Sequence, residues 1–291
     1  RGAGYQPKRR RLEPASIEEL DVIVENMPEK WKLMVLLAFW CVEPEELRAF
    51  AAYNTLYYLA GAAASGMRPP RQSAIEGGMR TYVAAVRRDL ERTDVRTSTG
   101  VVSIGREGDA FLLHDERGTM HTVDQLVIAT NARQALALLE PLEDFDEVCA
   151  QLRRFEYFDT TIAVHGDPAL MPPDRSAWSV VNIRSDGTHS QNSVWDPERE
   201  LPVFRSWVTY DERMPQPLYV VATYEHAKVT PDYYDAQSRL KLLQGVGGVW
   251  LAGVYTDDAD SHESAVRSAL VVARGLAPDS ARLRRIDVSD E

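Results

Sequence analysis

Cysteine is scarce in this chain: of 291 residues only Cys41 and Cys149 carry thiols. Neither belongs to a Cys-x-x-Cys pair or has a histidine at ligand spacing, which excludes a disulfide framework and a zinc site. Free thiols buried in a reducing cytosol fit that usage. Long hydrophobic runs are missing too. The longest, Leu33 to Val42, is too short to span a bilayer, and no signal-peptide pattern opens the chain. Arg1 in place of methionine leaves room for an earlier segment that was removed. Positive charge is in deficit, 33 Lys and Arg against 44 Asp and Glu for a net charge of -11, so most of the surface repels nucleic-acid phosphate. The basic cluster Lys8 to Arg11 reads as a solvated tail. Membrane, nucleic acid and metal are set aside, and a cytoplasmic location is expected.

Hydrophobic residues at 44% and charged residues at 26% are ordinary for a soluble globular protein, and the length suggests about two domains. Residues 1–14, basic and with two prolines, form a flexible arm. Ser16 with Glu19 makes a capping box ahead of Leu20, Ile23 and Val24, and Pro28 ends that helix. Further helices run from Trp31 to Cys41 and from Pro44 through Leu59. Gly77-Gly78 precedes a helical pattern in Tyr82, Val83, Val86 and Leu90. The period then changes to short β-rich runs, Val101 to Ile104, Ala110 to His114 and Met120 to Ala129, which predict an antiparallel meander. Strand Val123 to Ala129, polar turn and helix Gln134 to Leu139 have the rhythm of a nucleotide fold. Phe155–Val164, Ala177–Ile183, Val203–Tyr210 and Leu218–Thr223 predict a second antiparallel sheet. A helix over Tyr234 to Leu243 leads to strand Val249 to Ala252, a polar turn, and a final helix from His262 to Leu276.

That last strand-turn-helix carries the chemistry. An apolar strand stopping at Gly253 and re-entering a helix rich in small residues offers backbone N–H groups and a positive helix end to an electron-rich ring edge or anion. Gly247 to Gly253, Tyr255 and Ser261-His262-Glu263-Ser264-Ala265 resemble the C-terminal flavin motif of the FAD-dependent amine oxidase superfamily. In that superfamily the helix N-terminus faces the pyrimidine edge of the isoalloxazine and stabilises the anionic reduced flavin. The resemblance implies cofactor-binding roles for Gly253, Tyr255, His262, Glu263, Ser264 and Ala265. Val254 stands where many relatives have an acidic ribityl or phosphate contact. In matching order, Gly77-Gly78 resembles the family's paired glycines before a helix, and Val101 with Ile104 the strand touching adenine. Residues 123–130 resemble the strand that returns to the dinucleotide fold.

One expected element is missing. Such enzymes begin with a strand, Gly-x-Gly-x-x-Gly and an acidic residue about 20 positions on, because glycines let the backbone reach the pyrophosphate. Gly2-Ala3-Gly4 lacks the strand and the third glycine, and Gly245 to Gly248 precedes a strand instead of following one. Residues 9–41 have a faint similarity to a tyrosine recombinase segment, without that family's catalytic set. His262 at a helix N-terminus is a candidate to meet ring or substrate, or else a capping or turn histidine. Trp178 and Trp207 are candidates for an aromatic substrate wall, or else sheet packing. His165 and His226 read as core or surface groups, and Asp257, Asp258 and Asp260 as a solvated acidic turn.

The resulting fold class is mixed α/β and α+β. A partial FAD-binding, Rossmann-like fold (73–136 and 244–277) accompanies a helical region (15–72), an antiparallel β-sheet substrate domain (137–243) and a tail (278–291). The function that follows is hydride transfer from a small-molecule substrate to FAD, with the missing phosphate-binding part either lost or supplied by a homo-oligomer or partner chain that completes the cofactor site. The alternative is a non-catalytic binding protein without FAD.

Overall fold

The computed structural model describes residues 49–51, 53, 75–185, 189–195, 202–259 and 261–287. The N-terminal arm, the helices expected before residue 48, Cys41 and the segment resembling a recombinase lie outside them. In chain order the principal elements are α1 (Met79–Arg88), β1 (Val101–Glu107), β2 (Ala110–Asp115), β3 (Met120–Val123), β4 (Leu126–Ile128), α2 (Ala132–Leu139) and α3 (Asp146–Leu152). There follow β5 (Tyr157–His165), β6 (Val181–Ser185), β7 (Ser190–Trp195), β8 (Phe204–Trp207), β9 (Leu218–Ala227), α4 (Pro231–Leu242), β10 (Val249–Leu251), α5 (His262–Leu276) and α6 (Ala281–Asp287). Helices and antiparallel sheets are mixed, as the sequence predicts. The described residues divide into two compact units, one holding 159–224 and the other 75–158 with 225–287.

In the second of these, β1, β2 and β3 form the antiparallel meander. Gly108 and Gly118 turn its hairpins at φ 60° and 79°, and the buried Asp115 carboxylate accepts from the Arg117 and Thr119 N–H groups at 2.9 and 2.8 Å. The β-rich run 120–129 breaks at Asp124-Gln125: β3 stays in the meander, while β4 pairs in parallel with β10, Leu126 opposite Val249 and Ile128 opposite Leu251. Each strand of that pair feeds a capped helix. Asn131 accepts from Gln134 N–H at the start of α2, and Ser261 accepts from Ser264 N–H at the start of α5. Thr230 caps α4, with Pro231 at its first position. Phe111, Leu139, Phe145, Leu152, Tyr233 and Leu240 are buried here, each side chain stabilising the fold by about 1.5–3 kcal/mol through removal from water.

Trp250 of β10 lies against two glycines. A Cβ on Gly275 of α5 would come 2.2 Å from its ring and one on Gly245 2.7 Å, while its Nε1 donates to Gln125 Oε1 at 2.9 Å. Gly275→Ala gains about 1 kcal/mol of helix propensity. It must also move an anchored ring, at a typical overpacking cost of about 1–3 kcal/mol. A net loss is therefore expected in urea unfolding, and a more stable variant would show that helix and ring are not in contact.

The other unit is built on one antiparallel sheet in the order β6-β7-β8-β5-β9. Ile162 faces Trp207 and Ser193 faces Ser206 across its ladders. His165 is fully buried in it. Its Nδ1 accepts from Asp167 N–H at 3.1 Å, so its proton sits on Nε2 and is donated to Ser206 Oγ at 2.8 Å. Burial pushes the imidazole pKa down, outweighing the nearby Asp167 and Asp211 carboxylates, with Arg184 acting in the same direction as burial.

A folded pKa below the unfolded value means that the unfolded chain binds the proton first as pH falls. The contribution of His165 is present above about pH 6.5 and is lost as pH drops through the lower folded value. Urea midpoints of the wild type should therefore fall on acidification below that point. His165→Asn, which keeps an acceptor but cannot titrate, should show a shallower slope, and equal slopes would refute this.

Candidate functional site

Two clefts open at opposite ends of the β4/β10 pair. At the carboxyl ends lies one of about 310 Å³, lined by Ala129, Thr130, Asn131, Tyr157, Glu225, His226, Ala227, Gly253, Val254 and Tyr255. Open parallel sheets bind ligands there, because strands that end together leave a crevice faced by backbone groups and helix starts. At the amino ends a cleft of about 540 Å³ is lined by Arg106, Glu107, Asp109, Ala110, Asp124, Gln125, Gly247 and Gly248. Its one cation is already engaged: Arg106 donates to Gly108 O and Asp144, and stacks on Phe111 and Phe145. The smaller cleft carries the better chemistry.

One side of that cleft is a polar cluster. The Glu225 carboxylate takes an ion pair from Arg133 and a 3.1 Å hydrogen bond from Asn131 Nδ2. The Arg133 guanidinium sits 5.4 Å over the Tyr157 ring, and Tyr157 Oη accepts from Ala132 N–H at 2.9 Å. Opposite is Tyr255, 2% exposed, its ring edge-on to Phe155 at 5.5 Å. The Tyr255 hydroxyl is buried without a hydrogen-bond partner among the described residues. Burial, with a smaller effect of Tyr157, pushes its pKa up, so it stays a neutral donor. Gly253 has φ 145° and ψ 171°, and a Cβ there would stand 3.0 Å from the Tyr255 ring. Its N–H donates to Ser268 Oγ of α5 at 2.9 Å.

Of the residues singled out in the sequence, Gly253 and Tyr255 line this cleft. His262, Glu263, Ser264 and Ala265 form the first turn of α5, with Ser264 buried and its Oγ 2.9 Å from Ser261 Oγ. His262 is not the cap, since Ser261 is, and its exposed ring meets Tyr82 of α1 at 6.0 Å. That contact brings α5 beside the helix that Gly77 and Gly78 introduce, both at positive φ. Val101 is the first residue of β1 and exposed, while Ile104 on the same strand is buried. Trp178 and Trp207 lie in the other unit. Trp178 packs edge-on against Trp195 and Phe204 and donates to Pro172 O, and Trp207 lies under Arg205. The sequence reading missed Thr130, Asn131, Tyr157, Glu225 and, as a cleft residue, His226. Among the described residues no His, Cys, Asp and Glu group could hold a metal, and no helix is long and apolar enough to cross a membrane.

A family model for flavin containing amine oxidoreductase matches residues 7–166, more than half of the chain. The chain belongs to that family. The match runs through residues 9–41 and stops short of Gly247–Ala277. A protein described as a candidate protoporphyrinogen oxidase from Exiguobacterium sp. 255-15 is 15% identical, with a TM-score of 0.55 over 81% of this chain and 57% of that one. Cyclohexylamine oxidase from Brevibacterium oxydans IH-35A is 12% identical, with 0.57 over 88% and 67%. A redesigned putrescine oxidase is 10% identical, with 0.58 over 90% and 68%. These likenesses are of fold, and the chain spans 57% of the first structure's length. No curated protein sequence matches.

The residues present suit one part of a flavin dinucleotide. The buried Tyr255 hydroxyl lacks an acceptor among the described residues, and Gly253 lets its ring pack against the backbone of the cleft wall, where a Cβ would collide with it. The glycine loop that cradles pyrophosphate has no counterpart in these 291 residues.

Proposed function

We propose that this chain forms the flavin-facing and substrate-domain part of an FAD-dependent oxidoreductase of amine-oxidase type, acting on a small organic substrate. The supporting observation is the cleft at the carboxyl ends of β4 and β10, lined by Tyr255, whose buried hydroxyl has no hydrogen-bond partner among the described residues. FAD, when bound, supplies the acceptor for a hydride from the substrate. Around it, Tyr255 would donate a hydrogen bond, and Gly253 would seat the Tyr255 ring in the cleft wall. Glu225, held by Arg133 and Asn131, would present charge at the rim. The first turn of α5 would stabilise negative charge on a reduced ring. The phosphate-gripping segment is proposed to come from elsewhere in a longer polypeptide or from a partner chain, a second copy included.

The missing glycine loop favours the rival reading, a binding protein without flavin. Titration with FAD separates the two. Protein that turns yellow, absorbs near about 450 nm and releases FAD on denaturation supports the oxidoreductase. Protein that stays colourless, alone and with a chain carrying the glycine loop, overturns it.

A further inference from the structure

We propose that Gln237 is the positioning residue of the turn that carries Gly253 and Tyr255, fixing the cleft wall without touching a ligand. The inference rests on the flavin reading of that cleft. The connection from β10 to α5 has little regular structure to hold it. Its described residues hold a 3₁₀ turn over Val254–Thr256, and then Asp258 at φ 45°, a conformation that residues with a side chain rarely adopt. Such a residue persists only where its surroundings fix it. Gln237, 3% exposed on α4, does so. Its Nε2 donates to Val254 O at 3.3 Å and to Asp258 O at 3.0 Å, bracketing the turn. One helical turn further on, Lys241 meets the buried Asp257 carboxylate at 3.4 Å, and Arg267 of α5 meets it at 3.2 Å. Ser268 accepts from Gly253 N–H. The turn is thus clamped between α4 and α5, and Gln237 is the only one of these groups that ties both of its ends to one side chain.

Gln237→Met keeps the length and volume of the side chain and removes both donors. Losing them should speed amide exchange over residues 254–261 about tenfold, the scale of one or two hydrogen bonds. FAD uptake should weaken by about the same factor. Adding Asp258→Gly should recover much of both, because glycine holds φ 45° without strain; a residue that merely fills space would not be rescued this way. Exchange over 254–261 that matches wild type, or that rises equally in the β1–β3 meander, overturns the proposal. Should wild type take up no flavin while Gln237→Met still loosens this turn, the flavin reading fails and the positioning role stands. Should the variant not fold, selective ¹⁵N labelling of glutamine in wild type decides. Protected Gln237 side-chain protons support the role, and free-solvent exchange rates overturn it.

Discussion

An alanine at position 253 should cost about 4 kcal/mol of folding stability, split between backbone strain and a side-chain collision. Gly253 lies at φ 145° and ψ 171°, a region open almost only to glycine, where an alanine is strained by about 2 kcal/mol. Its new methyl would lie 3.0 and 3.2 Å from two ring carbons of Tyr255. That ring cannot swing away, because it is 2% exposed and closed in by Phe155, and overpacking of this kind costs about 2 kcal/mol more. Gly78 serves as the control. Its φ of 76° and ψ of -177° belong to the same region, but a Cβ there meets nothing within 4 Å. Gly78→Ala should lose only the backbone part, about 2 kcal/mol. Urea midpoints of the two variants measure the difference directly. Equal losses would mean that the Tyr255 ring does not press on Gly253.

The strand-turn-helix that ends in α5 was legible almost to the residue because its signals are local. A serine cap, a glycine at the strand end and small residues on one helix face all lie within one stretch, and the helix runs His262–Leu276 as expected. Strand β7 was not legible. Its Ser190-Gln191-Asn192-Ser193 is polar throughout yet buried, so neither hydrophobic alternation nor β propensity marks it. What makes it a strand is its pairing with β6 and β8 together with side-chain hydrogen bonds to distant residues: Ser193 Oγ to Ser206 Oγ at 2.7 Å, and Gln191 Oε1 accepting from Tyr210 N–H at 3.2 Å. The break at Asp124-Gln125 was hidden for a related reason. A continuous β-rich run does not reveal that its two halves join different sheets.

The same distinction runs through the site. Gly253 and Tyr255 come from a motif, whereas Asn131 and Glu225 meet across 94 positions of sequence, which no spacing rule could join. His226, taken as a core or surface group on a strand, enters the cleft because β9 ends there. Trp178, a candidate substrate wall, instead fills its own sheet through Trp195, Phe204 and Pro172.

Tyr255→Phe separates a residue kept for ligand binding from one kept for folding. The hydroxyl is buried with no acceptor among the described residues, and leaving such a group unsatisfied costs about 1–3 kcal/mol. Removing it should therefore raise stability by about 1 kcal/mol, since phenylalanine preserves the ring's contact with Phe155. A bound acceptor reverses the balance. The hydrogen bond to that acceptor is then lost, and flavin affinity should fall by about tenfold or more, at 1.4 kcal/mol per decade. Because the hydroxyl's pKa is raised by burial, the loss should not vary with pH across the neutral range. The paired measurement is a urea midpoint without FAD and a dissociation constant with it. A variant that is less stable than wild type would show that the hydroxyl has a partner in the folded chain, and one that is stabilised but binds FAD unchanged would place the ligand away from Tyr255.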